Sequence, residues 1–154
     1  MDPRRTLGIP VPWVFTIAYL VGVVIQLVVP VSASGVLLPA SVAAAVVLVT
    51  VGAVLAVWGQ ALFRKTHTTT VPGETSFALV TSGPYRVTRN PMYVGLFSVF
   101  VGISLAFTLV WSIILMLPVF YYLNWMVVPL EEERLTSSFG AEYEAYRKKV
   151  RRWL

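Results

Sequence analysis

The sequence predicts an all-α, polytopic membrane protein with four transmembrane helices, a cytoplasmic polar loop and an amphipathic C-terminal helix. Two observations carry this. Of the 154 residues, 57% are hydrophobic and only 12% charged, with mean hydropathy +0.77, whereas soluble domains carry about 25% charge. The charges are also segregated: none occurs in residues 6–63 and none in residues 90–130. At ~1.5 Å per helical residue the second run reaches about 60 Å, two crossings of a ~30 Å hydrocarbon core. The first run is longer, is broken near Pro30 and Gly35 and again at Pro39, and also fits two crossings.

Helix 1 is expected over residues 12–30. Arg4 and Arg5 precede it, and Val31-Ser32-Ala33 loosely resembles a signal-peptidase site. The apolar part is nevertheless longer than the ~7–15 residues of a signal core, so the helix is expected to stay uncleaved. Helix 2 is expected over 38–63, followed by a polar segment over 64–90. Helix 3 follows over 91–107 and helix 4 over 110–130. The turn between them is poorly marked, because residues 105–112 contain neither Gly nor Pro. Gly52 and Gly59, and likewise Gly95 and Gly102, are spaced to share a helix face, which close helix packing explains. Pro118 is expected to kink helix 4 and free a carbonyl near mid-membrane. In the tail, Leu135, Phe139, Tyr143, Tyr146, Val150 and Trp153 form one apolar stripe at helical spacing. Glu142 and Glu144 come early there, and Arg147, Lys148, Lys149, Arg151 and Arg152 late, complementing a helix dipole. Such a helix is a surface anchor, a lid on a site, or both.

Every cation falls on one side of a four-helix arrangement, which the positive-inside rule makes cytoplasmic together with both termini. The net charge of +5 therefore reads as membrane flanks touching anionic lipid, and nucleic acid is not an expected partner. The absence of cysteine excludes disulfides and thiolate chemistry. With a single histidine, His67, no metal site is expected. No G-x-G-x-x-G follows a strand, so a Rossmann site is unsupported.

Glu131-Glu132-Glu133 directly follows the second apolar run, and Gly83-Pro84-Tyr85-Arg86-Val87-Thr88-Arg89-Asn90-Pro91-Met92-Tyr93 precedes it. If that run crosses and returns, both clusters meet at one membrane boundary. Adjacent acids are either a solvated cap or the partner of a cationic ligand. Helical spacing puts Tyr121, Asn124, Val128 and Glu131 on one stripe, and polar groups in a span face the bundle interior. In the loop, Arg86 and Arg89 can take a carboxylate. Tyr85 and Tyr93 either stack on a flat ring or form an aromatic belt. Asn90 before Pro91 is placed to cap helix 3. An acid pair facing an arginine loop suits a ligand with both ammonium and carboxylate.

Leu79-Val80-Thr81-Ser82-Gly83-Pro84-Tyr85-Arg86 with Arg89-Asn90-Pro91-Met92-Tyr93-Val94-Gly95 closely resembles the cofactor motif of the isoprenylcysteine carboxyl methyltransferase family and its phospholipid methyltransferase relatives. Glu131-Glu132, Leu135, Phe139-Gly140, Tyr143, Tyr146 and Val150 resemble its second motif, in the same order and spacing. The resemblance covers about residues 64–154. It implies one membrane-embedded domain over 1–154, with helices 1 and 2 in 1–63 and the cofactor loop, helices 3 and 4 and the tail in 64–154. It also implies an S-adenosylmethionine-dependent methyltransferase releasing S-adenosylhomocysteine. Carried over, the cofactor contacts are Phe77, Ala78, Leu79, Val80, Tyr85, Asn90, Pro91, Met92, Tyr93 and Glu131, with Thr70 a further addition. Glu131, Glu132 and Arg89 form the expected catalytic group, and Asn124 and Tyr121 the expected acceptor side.

Two departures bear on the acceptor. The family often has His where this chain has Asn90, so no imidazole can act there. Eukaryotic carboxyl methyltransferases carry an Arg four residues before the first motif Glu, where this chain has Val127, so a carboxylate acceptor loses its expected partner. The acceptor is expected to be small or lipophilic and reached from the bilayer, with phospholipid N-methylation and prenylcysteine O-methylation as alternatives; His67 is either a base for an ammonium acceptor or an incidental loop histidine. A four-helix transporter or scaffold is the non-enzyme rival. A proton-coupled transporter needs an ionisable group within a span, and both charge-free runs argue against it.

Overall fold

A computed structural model of the chain describes residues 10–31, 39–65 and 78–154. Among them every regular element is helical, apart from one isolated parallel bridge between Thr88 and Arg151. The apolar helices are α1 (Val11–Val28), α2 (Pro39–Lys65), α3 (Pro91–Ala106) and α4 (Val110–Tyr122). A π-helical turn, Leu123–Val127, joins α4 to α5 (Val128–Phe139), and α6 (Ala141–Lys149) follows. A 3₁₀ turn, Gly83–Arg86, precedes α3.

Three of these helices are long and apolar enough to cross a membrane: α1, α2 and the continuous Val110–Phe139. The fourth, α3, has 16 residues and spans about 24 Å at ~1.5 Å per residue. Valines 42, 46, 47, 51, 54 and 57 lie exposed along α2, an outward apolar surface suited to lipid and costly in water. The protein is an integral membrane protein.

The strongest helix pair is α2 with α3, and α1 packs chiefly on α4. Glycine sets the first approach. A Cβ on Gly52 would lie 2.6 Å from the Gly95 carbonyl oxygen, and one on Gly95 would lie 2.6 Å from that of Gly52. The two backbones are in contact, as their heptad spacing predicts. The core lies between α1, α3 and α4, where Phe15, Val11, Met116, Val119, Leu123 and Val127 are buried. Phe15 meets Phe97 edge-on with centroids 4.7 Å apart, a favoured aromatic geometry. Ser112 Oγ ties α4 to α1 through the Tyr19 carbonyl at 3.1 Å.

The expected helices exist, with ends that differ for identifiable reasons. The α3–α4 turn closes without glycine. The Leu109 N–H reaches the Ser104 carbonyl at 2.8 Å, and the Thr108 N–H reaches Leu105 at 3.3 Å. This is a Schellman end with Thr108 in the left-handed position at φ +53, where glycine is usual.

Helix 4 overruns its expected end at residue 130. Charge does not stop a helix whose hydrogen bonds remain available, and it continues through the three glutamates to Phe139. Gly140 stops it, at φ +49. The expected single tail stripe is thereby cut: α6 ends at Lys149, and Val150 turns the chain extended at φ −120, ψ 133.

Pro129 lacks the N–H that would reach the Trp125 carbonyl. Just before it, the Val128 N–H bonds to Leu123, five residues back. This extra residue in one turn rotates α5 relative to α4, so the expected stripe of Tyr121, Asn124, Val128 and Glu131 is not one face. Tyr121 is 66% exposed while Val128 is 1% exposed.

Candidate active site

The polar loop and the acidic pair do meet. Pro91 at the first turn starts α3, its fixed φ suiting that position, and this carries Tyr93 up to α5. The Tyr93 hydroxyl donates to Glu131 Oε1 at 2.6 Å. Tyr93 is therefore a hydrogen-bond donor, and neither a simple belt residue nor a free stacking ring.

Glu132, 8% exposed, is held differently. Arg89 Nη1 lies 3.1 Å from its Oε1. Arg152 grips it with two prongs, Nε to Oε1 at 3.0 Å and Nη2 to Oε2 at 2.6 Å. Bidentate pairs of this kind fix geometry as well as charge. The hydrogen bond to Glu132 raises the Arg152 pKa above its ordinary value, so the guanidinium stays charged. Arg89 Nη1 also donates to the Tyr143 hydroxyl at 3.5 Å. Its Nε is buried without a hydrogen-bond partner among the described residues.

Tyr85, in the 3₁₀ turn, is 6% exposed and meets Phe63 of α2 edge-on at 5.5 Å. Burial pushes its hydroxyl pKa well up, helped by Tyr146 and by the nearby Glu131 charge, so it remains a neutral donor. The Tyr146 hydroxyl donates to the Tyr85 carbonyl at 2.8 Å. Burial and the neighbouring Tyr143 lift the Tyr146 pKa to about 12. Beside Tyr146 an open cleft of about 390 Å³ is lined by Leu79, Thr81, Arg86, Glu142, Lys149 and Val150, among others.

Asn90 does not cap α3 with its side chain. Its amide Nδ2 donates instead to the Arg152 carbonyl at 2.9 Å, a partner 62 residues away that outcompetes the local one. Asn124 Oδ1 accepts from Trp153 Nε1 at 2.8 Å, so it holds the tail, and Tyr121 points away from the cluster. Pro91 is buried and Met92 half-buried beside Gly59. Ala78 and Leu79 are half-buried and Val80 is buried. Thr70, Phe77 and His67 lie outside the described residues. Among the described residues no group of three His, Cys, Asp or Glu can hold a metal.

Four contributors are absent from the sequence reading of the site: Arg152, Thr88, Trp153 and the Arg151 carbonyl. The tail cations read as helix-dipole partners, and no local spacing links residue 152 to residues 88–90 or 132. The one available signal was the acid pair on a basic face, which called for cations without saying which.

The phospholipid methyltransferase family model matches residues 40–142. The chain belongs to that family. The match runs from α2 through the loop, α3, α4 and α5 and into α6, so the methyltransferase fold contains both halves of the polar cluster. No curated protein and no solved structure matches this methyltransferase. Residues 143–154, which include Arg152 and Trp153, lie beyond the family match.

Proposed function

We propose that this membrane methyltransferase uses S-adenosylmethionine and transfers the methyl group to a small or lipophilic acceptor that arrives from the bilayer. The observation that carries the reading is the division of labour between adjacent acids. Glu132 is already gripped by two guanidiniums, whereas Glu131 accepts from the neutral Tyr93 hydroxyl and feels Arg134 as a nearby charge. Glu131 is thus the carboxylate suited to a cationic ligand in a partly dry site. The cleft lined by Leu79 and Arg86 has the volume of a small-molecule site, and its mostly apolar wall carries Arg86, Glu142 and Lys149 as charged groups.

When bound, S-adenosylmethionine supplies a methyl group on a sulfonium, whose sulfur leaves as a neutral thioether. Glu131 and Tyr93 would hold the cationic end, while the loop through Leu79, Val80 and Tyr85 would hold the rest. Little covalent help is needed from the protein. Positioning and exclusion of water supply the acceleration. Neither glutamate is well placed as a base, because one is paired twice and the other serves the ligand.

A four-crossing arrangement, with loop, acids and both termini on the cytoplasmic side, gives the polar cofactor an aqueous approach and the acceptor a lipid one. The family's description favours a phospholipid acceptor. Val127, fully buried in the apolar core, supplies no cation for a carboxylate, which weighs against prenylcysteine.

The test supplies purified protein with methyl-labelled S-adenosylmethionine and separate lipid, thiol and prenylcysteine acceptors. Label transfer to one class supports the reading. Failure of folded protein to bind S-adenosylmethionine sinks it. Unchanged cofactor affinity in Glu131→Gln removes the role given to Glu131.

A further inference from the structure

We propose that the last residues of the chain form a strap that positions the methyl-transfer site, with Arg152 as its positioning residue. The proposal rests on the methyltransferase reading above and deepens it.

After α6 the extended chain returns alongside the loop that starts α3. The Arg151 carbonyl accepts from the Arg89 N–H at 2.9 Å. The Arg152 carbonyl accepts twice, from Thr88 Oγ1 at 3.0 Å and from Asn90 Nδ2 at 2.9 Å. The Arg152 side chain grips Glu132. Trp153 then bonds to Asn124 and packs on Phe120 with ring centroids 5.2 Å apart. Residues 151–153 therefore bond to Arg89, Asn90, Asn124 and Glu132, each a site residue on sequence grounds. The strap lies beyond residues 40–142, the range of the family match.

Two physical consequences follow. A carbonyl oxygen can only accept, so the Asn90 amide must turn its NH₂ group to Arg152, which leaves Oδ1 as its acceptor end. Without the strap the amide is free to flip, and a ligand N–H loses a fixed acceptor. Glu132 would meanwhile be held by Arg89 alone, loosening the start of α5 where Glu131 sits one residue away. The strap acts through the residues that seat the cofactor, since its bonds run to Thr88, Asn90, Asn124 and Glu132.

The experiment uses the full chain in lipid nanodiscs and compares Arg152→Gln, Arg152→Lys and Thr88→Val with the wild type. In ligand-free protein, hydrogen exchange at the Arg89 amide should quicken at least tenfold in Arg152→Gln. The KM for S-adenosylmethionine should rise about tenfold, with kcat at saturating cofactor within twofold. Lysine should recover part of that loss, because it keeps the charge and lacks the fork.

A structural defect that merely lowers the folded fraction would reduce kcat and leave KM alone, and that pattern overturns the proposal. So does unchanged exchange at Arg89. If Arg152→Gln does not fold, Thr88→Val, which loses a single donor, should still raise KM about threefold. An unaltered KM there refutes the strap. Wild-type protein that binds no S-adenosylmethionine overturns the methyltransferase reading and the strap's role in it, while the exchange arm reports separately on docking.

Discussion

Replacing Glu132 with glutamine should be the most damaging single polar change in this protein. The side chains of Glu132 and Arg89 are each 11% exposed and lie 3.1 Å apart. Losing one member of a buried pair costs about 3–5 kcal/mol, because the other charge stays buried without compensation. The Arg152 side chain is 34% exposed, so solvent screens its share, leaving roughly 1 kcal/mol for that contact. Glu132→Gln is therefore expected to lose about 3–5 kcal/mol, Arg89→Gln about 3 and Arg152→Gln about 1. Since Arg89 and Glu132 share one interaction, the double variant should lose less than the sum by about 2 kcal/mol. Reversible unfolding by SDS titration in mixed micelles, followed by far-ultraviolet circular dichroism, measures each value. A loss below about 1 kcal/mol for Glu132→Gln, or a coupling near zero, would falsify the assignment of Glu132 as the buried counter-charge.

Tyr93→Phe removes the 2.6 Å bond to Glu131. A charge-assisted bond of this length is worth about 1.5–3 kcal/mol, so calorimetry should show S-adenosylmethionine affinity falling about tenfold or more. Wild-type affinity would rule out Tyr93 as the group that orients Glu131. Gly95→Val would drive a side chain into the Gly52 carbonyl, 2.6 Å from the new Cβ, and should cost about 1–3 kcal/mol on the same titration. A neutral result would mean that α2 and α3 are further apart. Thr108→Gly relieves a left-handed threonine at φ +53 and should stabilise by about 1 kcal/mol. Destabilisation in its melting temperature would contradict the Schellman geometry. Gly140→Ala meets no atom within 4 Å among the described residues, so its cost is conformational, about 1 kcal/mol at φ +49. No change in unfolding would argue against the α5–α6 break.

The sequence alone determined the solvent of this chain and the two polar clusters that flank its second apolar run. Charge-free runs long enough to span a bilayer fold there as helices, which bond every backbone group within their own segment. That constraint is local, so the helices could be read to within a few residues at most ends. The exception is helix 4, because charge at residues 131–133 marks a membrane boundary and not a helix end. Heptad glycines likewise announced the α2–α3 contact, since only a close crossing makes such spacing useful. The two motifs of the family were contiguous stretches, and they named Tyr85, Tyr93, Glu131 and Glu132 before any coordinates.

What only the tertiary structure decided is who pairs with whom. The π turn before Pro129 rotates α5 out of the register assumed for α4, which removes Tyr121 from the site. The tail, read as a dipole-complemented helix, leaves helical geometry after Lys149 and returns to bond residues more than 60 positions earlier. Asn90 gives up its cap for the Arg152 carbonyl, and Glu132 is met by two guanidiniums while Glu131 is met by a hydroxyl. Local spacing fixes the periodicity of a helix, but the bond between Asn90 and Arg152 depends on how the helices between them pack.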